Sequence, residues 1–358
     1  MAIGVLFWIF ALTLLLLPFA GTPAAPDWGA PDHSRKVGPA DGESEDLTAV
    51  FDVPFAQDVA NFDAQAIEED YGLPETFKAY VARESERLFG ENSELLAASG
   101  LIETERLAPG KESYGIWCIG CHGESGDGAG PAATHLDPRP RNFRKGEFKF
   151  KGTASGSRPL RRDFFSTITR GLAGSAMPAF NLVPEQKRWD MSAYVRYLSL
   201  RGEFEQLMLD LARDDSELPD ADEVAGIVSS RWSAENCVPQ FPSVSEPPLN
   251  MASVDKGREL FNAATGGSCY SCHGKGGLGD GPSAGAYKDA WGYPIAPRDL
   301  TEGVFRAGET SKDLYMVIAS GIGGSPMPSY SDSIAGEDIW HLVHFVQYLA
   351  NPASVGGN

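Results

Sequence analysis

The sequence Cys-x-x-Cys-His occurs twice in this chain, and the repeat limits what the chain can fold around. The first copy is "WCIGCHG" at 117–123 and the second is "SCYSCHG" at 268–274. Three kinds of site use cysteines at this spacing: a redox-active thiol pair, a zinc site and a covalently attached haem. The chain therefore carries the same kind of site in each of its halves.

The histidine after each cysteine pair separates these three alternatives. A thioredoxin-like dithiol fits "WCIGC", but no βαβ pattern surrounds it and the second copy lacks the tryptophan. A single Cys₄ zinc site could join the two pairs. Only a c-type haem site also uses the histidine, because the thiols add to the porphyrin vinyl groups and the next residue then lies beneath the iron. The predicted attachment residues and imidazole ligands of two haem c groups are Cys118, Cys121 and His122 in the first half, and Cys269, Cys272 and His273 in the second half.

A second repeat provides a further iron ligand in each half. The segment "GLAGSAMPAF" at 171–180 reappears as "GIGGSPMPSY" at 321–330, at nearly the same distance after the motif histidine. A thioether is a soft ligand that a haem iron accepts opposite a histidine. A lone methionine is usually part of a core. Because the Met-Pro pair recurs in a matched glycine-rich loop, the sequence predicts Met177 and Met327 as axial ligands.

These motifs make each half resemble a class I cytochrome c module, and the chain resembles the di-haem c-type cytochromes. The likeness covers about residues 110–201 and 253–350. It implies a mostly α-helical fold with two cytochrome c-like domains, each built around a covalently bound haem. It also implies that the opening and closing helices of each domain cross, with Gly110 close to Tyr194 and Gly257 close to Phe345.

The resemblance suggests further haem contacts at matched positions. The backbone carbonyls of Pro131 and Pro282 are candidates to accept the Nδ1–H of the ligand imidazole, and the alternative is that these prolines only end a loop. Arg141 and Arg298 are candidates to bind haem propionates, because a guanidinium forms two hydrogen bonds with a carboxylate. The alternative for each arginine is a solvated surface charge.

Charge and composition divide the 358-residue chain, whose formal net charge is −19. Residues 41–105 hold 17 acidic and 3 basic side chains, whereas nine basic side chains lie within 139–162. That basic run is either a docking patch or a partner of the chain's own acidic extension.

The predicted domains are an acidic, partly helical N-terminal extension over 26–109, cytochrome c module 1 over 110–202, an acidic and proline-rich linker over 203–252, and cytochrome c module 2 over 253–358. An amphipathic helix over Pro74–Phe89 is predicted to pack on module 1.

The first 25 residues carry no charged side chain, and residues 2–20 are nearly all apolar. This pattern predicts a signal peptide cleaved near Ala25 or a retained membrane anchor. Either would place the rest of the chain in an extracytoplasmic compartment, which we expect to be the bacterial periplasm, with membrane association possible through residues 2–20. The fifth cysteine, Cys237, has no predicted ligand role.

The predicted function is single-electron transfer between redox proteins of a respiratory or related chain. No catalytic residue, nucleic-acid module or small-molecule substrate site stands out, so the chain is predicted not to be an enzyme itself. One alternative is a di-haem cytochrome c peroxidase, which needs an iron with an open sixth position. The other is a cytochrome subunit of a membrane or periplasmic dehydrogenase or oxidase complex. The matched methionines argue against the peroxidase.

Overall fold

The computed structural model describes residues 75–215, 217–290 and 292–355, which all belong to one unit, Ala56–Asn358. The predictions of a signal peptide or anchor at 1–25 and of the first part of the acidic extension, 26–74, lie outside the described residues. Among the described residues, no helix has the length and apolar character needed to cross a membrane.

The described residues form α-helices joined by loops, and their only strand-like pairing is two isolated bridges. In chain order the helices are α1 Glu75–Phe89, α2 Glu94–Ser99, α3 Leu107–Trp117, α4 Ile119–His122, α5 Arg161–Arg170, α6 Glu185–Asp215, α7 Ala221–Trp232, α8 Met251–Asn262, α9 Tyr270–His273, α10 Ser311–Ser320 and α11 Gly336–Ala350. Short 3-10 turns lie at Thr104–Arg106, Ala133–His135, Phe143–Lys145 and Pro352–Val355. The predicted mostly α-helical fold is confirmed.

Each module is built on one close helix crossing. Helix α3 packs on α6, and α8 packs on α11. A Cβ atom on Gly110 would lie 2.9 Å from Cβ of Tyr194, and one on Gly257 would lie 2.9 Å from Cβ of Phe345. Because carbon atoms do not approach so closely, only glycine allows these crossings. The predicted contacts of both glycines are confirmed.

The first module extends further along the chain than the sequence indicates. Helix α6 is 31 residues long and runs through position 202 without interruption. Helix α7 packs on it, and its first turn is capped by the side chain of Asp220. Phe204, Met208, Val228 and Trp232 belong to the same buried cluster as the module's other core residues. The predicted linker over 203–252 therefore differs from the structure for residues 203–232, because their apolar side chains are buried in module 1.

The described part of the N-terminal extension also joins this core. Helix α1 packs on α6, and Val81 is fully buried between them. The rings of Phe89 and Phe204 have centroids 5.0 Å apart. The prediction that this amphipathic helix covers module 1 is confirmed.

Basic residues within 139–162 are paired with acidic residues of the chain itself. Most of these acidic partners lie on α6 and in module 2, and one lies in the N-terminal extension. The ion pairs are Arg144–Glu205, Arg158–Glu203, Lys149–Asp289 and Arg161–Glu103. Pairing with acidic residues of the chain itself was one of the two alternatives, and these four side chains follow it. Glu103 lies within residues 41–105, whereas the other three acidic partners lie on α6 and in module 2.

The rest of the predicted linker connects the two modules through backbone contacts. The N–H of Gln240 donates to the carbonyl of Gly152 at 2.7 Å in module 1. Four residues later, the carbonyl of Val244 accepts from Nε1 of Trp340 at 3.0 Å in module 2. The segment is therefore held on both sides and not suspended between them.

A buried polar chain joins this segment to the helix crossing of module 2. The hydroxyl of Ser253 lies 2.6 Å from Nδ1 of His341 and 2.6 Å from Nδ1 of His344. Nε2 of His344 lies 3.3 Å from a carboxylate oxygen of Glu246. The side chain of His344 is fully buried, and burial lowers its pKa, which Glu246 raises to a smaller extent. His344 is therefore held mostly neutral in the folded protein.

The role of residues 203–232 can be tested at Glu203, which accepts hydrogen bonds from Arg158, Arg231 and the indole of Trp232. Replacing Glu203 by leucine leaves the buried indole of Trp232 and the largely buried guanidinium of Arg158 without their acceptor, and we expect a loss of about 3–5 kcal/mol in the free energy of unfolding. Urea unfolding followed by circular dichroism measures it. The exposed Glu217→Gln is the control. An unchanged midpoint for Glu203→Leu would show that this stretch is a loose connector.

The stability of module 2 should depend on pH through His344. Because its folded pKa lies below the ordinary value of about 6.5, the unfolded chain takes up a proton first as the pH falls. The contribution of this group is thus complete above pH 6.5 and declines below it. In thermal unfolding between pH 7.5 and 5.5, His344→Leu should show a shallower decline than the wild type, and the exposed His135→Leu should not. Equal slopes in all three proteins would contradict the assignment.

Candidate haem-binding sites

The two cysteine-histidine motifs adopt the same local structure. Helix α3 ends at Trp117, and the single turn α4 then carries Cys121 and His122. Helix α9 is the corresponding turn in module 2. The following loop folds back onto each turn, since the N–H of Gly128 donates to the carbonyl of His122 at 2.8 Å and that of Gly279 donates to His273 at 2.9 Å. Each motif is thus tied at its C-terminal end to the loop that follows it.

A glycine in each loop lies directly against the motif. The N–H of Gly130 donates to the carbonyl of Cys121 at 3.2 Å, and that of Gly281 donates to Cys272 at 3.1 Å. A Cβ atom on Gly130 would lie 2.6 Å from the carbonyl oxygen of Ile119. The loop can therefore approach the cysteines only with glycine at this position.

The motif imidazoles donate to a different backbone carbonyl from the predicted one. Nδ1 of His122 lies 3.1 Å from the carbonyl oxygen of Arg141, and Nδ1 of His273 lies 3.2 Å from that of Arg298. The prediction that Pro131 and Pro282 supply this acceptor is therefore wrong. Both prolines are exposed, because each follows the glycine that packs on the motif, and the loop returns to the imidazole only at the arginine.

This hydrogen bond decides which imidazole nitrogen can bind a metal. A carbonyl oxygen only accepts, so Nδ1 of His122 and of His273 must carry the proton. Nε2 then keeps its lone pair. Burial lowers the pKa of both histidines, so both rings are neutral at neutral pH. Each ring is thus oriented and in the tautomer that an iron ligand requires.

The motif thiols do not have the properties of a redox-active pair or of a zinc site. All five cysteines are free thiols. Burial raises the pKa of Cys118 to about 12 and that of Cys269 to about 11, whereas reactive cysteines have lowered values. Across the described ranges, no group of three or more histidine, cysteine, aspartate or glutamate side chains could hold a metal ion. The dithiol and zinc alternatives therefore have no support in the structure.

The two methionine loops are held by the same bonds. The N–H of Met177 donates to the hydroxyl of Ser175 at 3.3 Å, and this hydroxyl donates to the carbonyl of Leu172 at 2.7 Å. In module 2, the N–H of Met327 donates to the hydroxyl of Ser325 at 3.3 Å, and this hydroxyl donates to the carbonyl of Ile322 at 2.8 Å. Sequence reasoning missed the two serines, although a serine two residues before each methionine was a visible signal.

Aromatic packing against the imidazole differs between the modules. The ring of Phe143 stacks on that of His122, with centroids 4.4 Å apart and an angle of 21° between the planes. In module 2 the matched position is Leu300, and Phe261 lies 6.3 Å from His273. Phe143 was also missed from the sequence, because its proximity to the histidine depends on the course of the loop.

A cavity of about 1640 Å³ adjoins the motif of module 2. This volume is above the range of about 300–1,000 Å³ that is usual for small-molecule sites. Module 1 also contributes to its wall. The lining includes Cys269, Cys272, His273, Met327, Arg298 and Arg306 from module 2, and Arg141 and Lys149 from module 1.

The residues around this cavity fit a covalently bound haem. Two thiols, a neutral imidazole and a thioether line one space, and these are the groups that attach and ligate haem c. Nε of Arg306 is buried and has no hydrogen-bond partner. A buried cationic nitrogen without an acceptor fits a missing anionic group such as a propionate. The assignment of the individual ligands stays a prediction.

Comparison with known proteins agrees with this chemistry. A family model described as "Cytochrome C oxidase, cbb3-type, subunit III" matches residues 105–195 and 252–346, together just over half of the chain. Among solved structures, a chain of the Kuenenia stuttgartiensis reducing HAO-like protein complex is 29% identical, with a TM-score of 0.55. The match covers 68% of this chain and 96% of that chain. A search of curated proteins found no match.

Proposed function

The chain belongs to the family of the cbb3-type cytochrome c oxidase subunit III, and on that premise we propose that it is a di-haem cytochrome c that transfers single electrons between redox proteins. The family implies covalently bound haem c and electron transfer. Our proposal adds that the chain holds two haems, one for each matched segment, and that both have histidine and methionine as axial ligands.

The observation that carries this proposal is the agreement between the two sites. In both modules a backbone carbonyl holds the imidazole in the ligating tautomer. In both, a serine holds the methionine loop through the same two bonds. When bound, a haem iron supplies reversible one-electron oxidation and reduction. The ligands that we propose are His122 and Met177 in module 1, and His273 and Met327 in module 2.

With a histidine and a methionine both bound to the iron, a haem in either module would have no open position for a substrate. Hydrogen bonds to backbone carbonyls orient the two imidazoles, and the serines hold the backbone of each methionine loop, so we expect little rearrangement when the charge at the site changes. A peroxidase would require one open or openable position and a polar group beside it. The chemistry of substrates is therefore left to the proteins that exchange electrons with this chain.

A role as the cytochrome subunit of a larger assembly is a second candidate. It is supported by the solved relative, which belongs to a protein complex. We also propose an extracytoplasmic location, on the evidence of the uncharged and apolar start of the sequence. Thiols in an extracytoplasmic compartment tend to form disulfides, but none of the five cysteines is in a disulfide. The proposed location therefore requires that the four motif cysteines are bonded to haem.

The number and attachment of the haems can be tested directly. We expect two haems per chain, and both should stay with the protein after acid-acetone extraction because thioether bonds hold them. Pyridine haemochrome absorbance per mole of chain gives the number. The double variant Cys118→Ala/Cys121→Ala should keep one haem, and the matched control Cys237→Ala should keep two. Haem that passes into the solvent, or zinc in the purified protein, would contradict this attachment.

The axial methionines distinguish an electron carrier from a peroxidase. In the oxidised wild type both haems should be low-spin. Met177→Ala and Met327→Ala should each convert one haem to high-spin and lower its reduction potential, because a histidine-methionine pair raises it. Electron paramagnetic resonance and a redox titration measure these changes.

The control for this experiment is Met208→Leu, since Met208 lies fully buried in the core of module 1. It should leave both spectra unchanged. A high-spin haem in the wild type at neutral pH, together with rapid turnover of peroxide, would identify the protein as a peroxidase.

A further inference from the structure

The cavity of module 2 brings together basic side chains from both modules. Arg298 and Arg306 come from module 2, and Lys149 comes from module 1. They are partly or largely buried. Burial lowers the pKa of Lys149 and of Arg306, and nearby cations lower both further: Arg141 and then Arg306 act on Lys149, and Arg298 acts on Arg306. Buried cations that repel one another are unfavourable unless an anion lies between them.

The acidic residues nearby compensate this charge only in part. Asp289 lies 3.6 Å from Nζ of Lys149, and Glu302 lies 3.5 Å from Arg298. Arg306 makes one long hydrogen bond, from Nη2 to the carbonyl of Gly174 at 3.4 Å. Its Nε is buried without a partner. Among these groups, Arg306 is the one that shows directly where an acceptor is missing.

Lys149 and Arg306 also occupy the same position in the two repeats. Each lies eight residues after the arginine whose carbonyl holds the imidazole. Each contacts the methionine loop of the other module, since Gly323 donates its N–H to the carbonyl of Lys149 at 3.2 Å and Arg306 binds Gly174. An additional ion pair, Arg170–Asp313 at 2.9 Å, joins the modules beside these contacts. The two cations are thus fixed where the modules meet.

We propose that Lys149 and Arg306 form a carboxylate-binding site shared by the two modules, and that it holds a propionate of the haem in module 2. The site rests on the proposed function, because it requires haem in that cavity. It makes the potential of one iron depend on a residue of the other module. The group that this site recognises is a carboxylate. We assign it to the haem propionate, and the other source of such a group is a free carboxylate from solution.

The test is a spectroelectrochemical titration of the full-length holoprotein. The potential that changes in Met327→Ala identifies the haem of module 2. Lys149→Gln removes a positive charge, so the negative charge of the propionate is less neutralised. This stabilises the ferric iron and lowers the reduction potential. We expect a three- to tenfold shift toward the oxidised form, where tenfold corresponds to about 59 mV for one electron. Lys275→Gln, which removes an exposed lysine of module 2, is the control and should change little.

The pH dependence of the potential distinguishes a bound propionate from a general effect of charge. A carboxylate held by two cations stays ionised, so the wild-type potential should be constant between pH 5.5 and 7.5. In Lys149→Gln/Arg306→Gln the propionate should take up a proton in this range, and the potential should rise as the pH falls. Arg141, Arg298, Asp289 and Glu302 also face this region. Adding Asp289→Asn to the double variant should leave the new pH dependence in place, because the group that takes up the proton is the propionate and not Asp289.

Each remaining outcome decides the proposal. An unchanged potential in Lys149→Gln, with both haems still bound and low-spin, would overturn the shared site and leave the proposed function intact. A missing or high-spin haem in the wild type would go against the proposed function itself. If succinate shifts the wild-type potential relative to chloride at equal ionic strength, and the double variant loses this shift, the ligand is a carboxylate from solution and the propionate is excluded.

Discussion

The hydrogen bond from each motif histidine to a backbone carbonyl is the constraint on which both sites depend. It joins the single helical turn that carries the cysteines to a loop about twenty residues further along the chain. Because the acceptor is a carbonyl, the bond fixes the tautomer as well as the orientation of the ring. The same residue, Arg141 or Arg298, also directs its side chain into the cavity between the modules. One residue in each repeat thus connects the ligand to the surrounding charge.

The two modules share a plan but differ in what surrounds it. Module 1 is enclosed by α1, by the second half of α6 and by α7, and acidic side chains of α6 neutralise a basic loop. In the part of the chain that the structure describes, module 2 has no matching outer helices, and the short segment 239–250 lies against its crossing helices through Val244 and Glu246. The two modules therefore share the backbone hydrogen bonds of their motifs and methionine loops, whereas the layers outside them differ.

The sequence predicted the features that follow from local chemistry. The spacing of the cysteine motifs, the methionine loops and the crossing glycines Gly110 and Gly257 could be recognised because each is repeated. The carbonyl that accepts from the histidine could not be predicted. All carbonyls of the loop are chemically equivalent, and only the conformation of the loop decides which one lies next to the imidazole. The burial of residues 203–232 was missed because the segment 203–252 was interpreted from its acidic and proline-rich composition, and composition does not show which apolar side chains meet a core. The serines of the methionine loops were visible but were not interpreted.

The uninterrupted helix α6 has a consequence for how the protein opens. Its N-terminal half crosses α3 beside the first motif, and its C-terminal half packs with α1 and α7. Since a helix transmits the loss of one turn to the next, these parts form a single cooperative unit of local unfolding. Exchange of amide hydrogens with solvent would occur together across α1, α3, α6 and α7. Module 2 shares no helix with them, and its opening would also break the contacts between the modules, such as the ion pair Arg170–Asp313.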